Sequence, residues 1–117
     1  MCVNRATNLR WLGVVSALAA LAGCMSLEEM APPVSPPLVQ AASLQGADAE
    51  SLHRGRAIYL DQCIKCHTVE PVNKYSLAHW DEILPEMSDE AKLSPQQRTD
   101  VKAYILAAHP FAGRKSK

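Results

Sequence analysis

The sequence predicts an all-α domain of three helices, and three observations predict it. Apolar residues recur at helical spacing in three separate stretches. The last stretch opens on Ser94, Pro95 and Gln97, placed as a helix start requires. All three stretches fall within residues 49–111. At about sixty residues apolar burial alone is marginal, so a covalent or metal staple is expected to supplement the core.

The first helix runs from Asp48 or Ser51 as cap to Tyr59 or Leu60, with Leu52, Gly55, Ile58 and Tyr59 on one side. The second begins near Ser76, and Leu77, Trp80, Leu84 and Met87 recur on one face. Pro85 either stops it near Leu84 or kinks it before Met87, because proline removes a backbone donor and disfavours helical geometry in the preceding residue. The third carries a capping box of Ser94 and Gln97 and buries Val101, Tyr104, Ile105 and Ala108. Pro110 and Gly113 end it. Residues 112–117, with Arg114, Lys115 and Lys117, read as a solvated basic tail.

The preceding chain divides in two. Residues 1–23 have the layout of a signal peptide, with Arg5 and Arg10 and no acid before the apolar run Trp11 to Ala22. That run is short of the roughly 20 apolar residues a bilayer span needs. It ends in Leu21-Ala22-Gly23-Cys24, which resembles the bacterial lipobox, in which the cysteine is acylated and becomes the first mature residue. The resemblance implies a lipid-anchored protein of the cell envelope facing the periplasm. Met25 at the following position implies the outer membrane rather than the inner. Residues 24–48, with the pairs Pro32-Pro33 and Pro36-Pro37, read as a proline-rich tether, extended at about 3.1 Å per residue.

Twelve basic and twelve acidic side chains leave no net charge. This removes the electrostatic footprint of a nucleic-acid binder. The four cysteines, at positions 2, 24, 63 and 66, do not form a disulfide framework, and Cys2 would leave with the signal.

Cys63-Ile64-Lys65-Cys66-His67 fits the CxxCH motif of covalent haem attachment. Two thiols three positions apart can add to two vinyl groups of one porphyrin. The adjacent imidazole of His67 is then held beneath the iron as its proximal ligand. Two other readings of the pair exist. A redox-active dithiol would want a βαβ surround, and a Cys₂His₂ zinc site would draw on His53, His67 or His79. Export favours haem over both.

From Ser51 to His109 the chain resembles the class I cytochrome c family. The likeness rests on a short helix with Gly55 and Tyr59 before the motif, the motif itself, and a last helix with Val101 and Tyr104. It implies a small cytochrome c-like three-helix domain around one covalent haem. It further implies that Gly55 admits the last helix at close range, with the aromatic residues beside it. Family members supply a methionine sulfur between the middle and last helices, which here implies Met87 as sixth ligand, with His79 the rival and an open sixth position the third possibility. The likeness also implies that the Pro71 carbonyl orients His67, while His53 and His109 read as surface or helix-end residues.

A haem with both axial positions filled leaves outer-sphere exchange of single electrons as its chemistry. The expectation is a carrier rather than an enzyme, confined by its anchor near membrane-associated redox protein partners. Lys65 and Lys74 flank the motif, either to steer acidic partners or as ordinary solvated lysines. The alternative is a five-coordinate haem that binds a small gas or peroxide. No distal His and Arg pair is visible for it, and Arg98 is the single arginine between the motif and the end of the last helix. A non-haem metal-binding lipoprotein is a further alternative.

Overall fold

Among the described residues, Ser26, Asp48, Ser76 and Ser94 each start a helix by accepting a free amide hydrogen on the side chain. A computed structural model describes residues 24–114. The signal segment read in residues 1–23 and the tail residues 115–117 lie outside the described residues. The elements are α1 (Leu27–Met30), α2 (Pro36–Ser43), α3 (Ala49–Asp61), α4 (Leu77–Glu90) and α5 (Pro95–Ala108). Single 3₁₀ turns occupy Cys63–Lys65 and His109–Phe111. The described residues are all-α.

Asp48 and Ser51 both serve at the start of α3. The Asp48 carboxylate accepts from the Ser51 amide at 2.7 Å, and the Ser51 hydroxyl oxygen accepts from the Asp48 amide at 3.2 Å. Ser76 caps α4 and Ser94 caps α5, the latter in the expected box with Gln97. Helix α4 continues through Pro85 to Glu90 instead of stopping at Leu84. Trp80 and Leu84 before the proline and Ser88 after it are all buried, and Pro85 itself is exposed. Packing on both sides of the ring outweighs local propensity.

The core centres on the crossing of α3 and α5. Gly55 makes that crossing close: a Cβ there would lie 2.1 Å from the Asp100 carbonyl oxygen and 2.7 Å from the Tyr104 Cβ. The rings of Tyr59 and Tyr104 meet beside it, 6.1 Å apart and tilted by 52°. An ion pair seals the same crossing. Asp100, only 1% exposed, accepts from Arg54 Nε at 2.7 Å and from Gln96 Nε2 at 3.0 Å. These donors hold the Asp100 carboxyl below its ordinary value, the Arg54 hydrogen bond contributing most. Arg54 also reaches Glu50 at 2.9 Å.

The proline-rich segment is not an extended tether. Ala31, Pro32, Leu38 and Ala42 are buried, and the first, third and fourth belong to the hydrophobic core. The Pro32 carbonyl accepts the buried Tyr104 hydroxyl at 2.8 Å, and Arg56 Nε reaches the Ala31 and Pro32 carbonyls at 3.2 Å each. The physical reason lies in Pro36 and Pro37, which occupy the first positions of α2 after Ser35. There a missing amide hydrogen costs nothing and the fixed φ favours a helix. Leu38 and Ala42, four residues apart, then share one face and bury it. The basic tail likewise begins later than expected, since Ala112 is buried and the Gly113 amide donates to the Glu29 carbonyl at 2.8 Å.

Candidate functional site

Helix α3 ends at Asp61, and the chain tightens into the 3₁₀ turn Cys63–Lys65. This turn presents Cys63 inward, half-buried, with Cys66 and His67 exposed. Both cysteines are free thiols. Burial pushes the Cys63 thiol above its ordinary value. Cys63 is therefore not an activated thiol, since reactive thiols are lowered rather than raised.

His67 Nδ1 lies 2.8 Å from the Thr68 carbonyl oxygen. A carbonyl only accepts, so Nδ1 donates, and in the neutral tautomer the lone pair then lies on Nε2. The expected partner, the Pro71 carbonyl, instead accepts the Lys74 amide at 2.8 Å, because the chain turns at 71–74. The loop after His67 is held at several points. The Tyr59 hydroxyl donates to the Glu70 carbonyl at 2.6 Å, Trp80 Nε1 to the Val72 carbonyl at 2.8 Å, and Asn73 Nδ2 to the Ala112 carbonyl at 3.2 Å. His109 Nε2 meets the Tyr75 carbonyl at 2.9 Å, so His109 is a half-buried brace at a helix end. Lys74 is ion-paired to Glu70 at 2.8 Å, which compensates the charge read as a steering element. Lys65 Nζ donates to Gln62 Oε1 at 2.8 Å.

Two cavities of about 250 and about 240 Å³ open around this loop, and Cys63, His67 and Met87 line both. The first is walled by Tyr59, Tyr75, Trp80, Leu84, Leu93 and Ile105, the second by Cys66, Glu86, Glu90 and Ala91 among others. Each is a little smaller than the roughly 300–1,000 Å³ of small-molecule and cofactor sites, and their three shared lining residues set them side by side. Helix α4 delivers Met87 on the turn after Leu84, half-buried against the core. The second cavity thus gathers two thiols, an imidazole and a thioether sulfur in one lining, and Cys63, His67 and Met87 face the first as well. Imidazole and thioether are both ligands of haem iron, so the donor set fits the group the motif implies.

His79 does not join them. It is exposed on α4, 3.2 Å from Glu82 Oε2, and its ring stacks edgewise on Tyr75 at 5.0 Å. His53 is exposed on α3. Among the described residues no three His, Cys, Asp or Glu side chains gather as a metal-binding group, so the zinc arrangement does not form there. Sequence reasoning passed over Tyr75, Glu86 and Glu90. The two glutamates sit one before and three after Met87, four apart on one helix face, a spacing that could have marked them as rim residues.

No known protein family, curated protein or solved structure matches the chain. Among the described residues no helix is long and apolar enough to cross a membrane.

Proposed function

We propose that the chain is a monohaem c-type cytochrome that carries single electrons, held to a membrane of the bacterial envelope by acylation of Cys24 and facing the periplasm. The observation that carries the reading is the shared lining of the two cavities by Cys63, His67 and Met87, with Cys66 on the second wall. Bound there, the haem would supply reversible exchange of one electron between ferric and ferrous iron.

Each residue has a separate task. Cys63 and Cys66 would hold the group covalently, each thiol adding across one vinyl group. His67 would hold the iron through Nε2, its ring aimed by the Nδ1 hydrogen bond to the Thr68 carbonyl. Met87 would hold it through its thioether sulfur, and an iron held by both residues would have no room for a substrate. Trp80, Leu84, Leu93 and Ile105 exclude water from the inner side. Cys66 and His67 are exposed, and Glu86 and Glu90 border the same outer side, which leaves an edge accessible to redox protein partners.

The test is the optical spectrum of the oxidised, haem-loaded protein. A weak far-red band from methionine sulfur on ferric iron is expected, and its loss in Met87→Ala. A low-spin spectrum lacking that band would move the sixth ligand to His79. A high-spin spectrum would replace the carrier reading with a gas- or peroxide-binding haem.

A further inference from the structure

We propose that the turn Ser26–Met30 and the chain leaving beside it at Gly113 form the face on which the domain sits on the lipid surface, an inference that rests on acylation of Cys24. Ser26 and Glu29 close a capping box at the start of α1. From there the segment is bonded to the body of the protein. The Glu29 carbonyl accepts from the Gly113 amide at 2.8 Å, and the Met30 carbonyl accepts from the Val72 amide at 2.9 Å. Ala31 follows, fully buried.

The first of these bonds comes five residues after Cys24. Five residues span about 17 Å at most, even fully extended. A polyproline tether over residues 25–48 would instead have reached about 75 Å. A domain on the shorter leash cannot swing freely. Acyl chains on Cys24 bring one particular corner to the surface: α1, the loop at Val72 and Asn73, and the turn at Ala112 and Gly113.

The side chains at that corner suit an interface. Met25 is 43% exposed and Leu27 48%, one and three residues from the anchor. Apolar side chains so placed enter the headgroup boundary and add to the hold of the acyl chains. Glu28 and Glu29 lie in the same turn, but Arg114, stacked over the Phe111 ring at 5.4 Å, leaves the same corner. Leu44 is 88% exposed but lies beyond α2, twenty residues from the anchor, and makes none of the bonds that close this corner. The seating also fixes the site. The Val72 residue bonded to Met30 accepts from Trp80, a wall of the haem cavity, so the cavity keeps one orientation to the membrane.

The test uses the lipidated, haem-loaded chain in vesicles of phosphatidylcholine and phosphatidylglycerol, with a nitroxide at Leu27→Cys, at Met25→Cys or at Leu44→Cys. Accessibility is read with oxygen, which partitions into lipid, and with a water-soluble nickel complex. The expected result is oxygen-favoured relaxation at positions 25 and 27 and nickel-favoured relaxation at position 44. Nickel-favoured relaxation at all three, in protein whose intact mass carries the acyl chains, overturns the seating and leaves the anchor standing. An intact mass without acyl chains overturns the anchor and the seating together.

Discussion

Replacing Gly55 with alanine tests the close crossing of α3 and α5, on which both the core and the cavity depend. In an ordinary helix the change would stabilise by about 0.5–1 kcal/mol, since glycine is the more flexible residue. Here the added Cβ would stand 2.1 Å from the Asp100 carbonyl oxygen, 2.7 Å from its carbon and 2.7 Å from the Tyr104 Cβ. Two of those atoms are backbone, so no side-chain rotation relieves the clash and the helices must separate. Overpacking of a tight core costs about 1–3 kcal/mol, and a backbone clash belongs at the upper end. Subtracting the propensity gain leaves a net loss of about 2 kcal/mol. At about 4–8 °C per kcal/mol for a domain of this size, the melting temperature should fall by about 8–16 °C. Thermal and urea unfolding of the full chain, followed by circular dichroism, measure it. Stability equal to or above that of the parent would refute the crossing, because only an uncrowded helix gains from the alanine.

Leu38→Ala should cost about 2–5 kcal/mol in urea unfolding, the range for deleting a buried leucine, as Leu38 is fully buried. An unattached tether predicts no change. Tyr104→Phe removes the hydroxyl that bonds the Pro32 carbonyl at 2.8 Å and should cost about 1 kcal/mol in the same assay. The effect stays small because Arg56 still reaches that carbonyl. For Asp100 the sign follows from its lowered carboxyl: stability from the Arg54 pair is present above the unfolded value of about 4 and is lost as pH falls below it. Asp100→Asn should therefore flatten the acid limb of the stability–pH profile, and an unchanged limb would show that the pair contributes nothing to it.

What was legible in the sequence was local. The capping boxes, the stretch from Cys63 to His67 and the glycine one helical turn before Tyr59 each act within a few residues, where backbone geometry links cause to neighbour. So three helices could be read, with most of their buried faces. The signal that misled was also local: proline pairs describe an extended chain as well as a helix start, and only the burial of Leu38 and Ala42 decides between them.

Contacts between distant segments were decided by the tertiary structure. Asp100 reads as an ordinary exposed acid on a helix until Arg54, forty-six residues earlier, supplies the charge that permits its burial. Met87 and His79 both lie on α4, but they point to different neighbours, Met87 toward the thiols and His79 toward Tyr75 and Glu82. The rotation of that helix against the core separates them. It is set by the burial of Trp80 and Leu84, whose combined apolar area no single-residue propensity matches. The sequence by itself offered the side chains that are candidates for holding a haem. Only the packing of α4 determined which of them share a cavity.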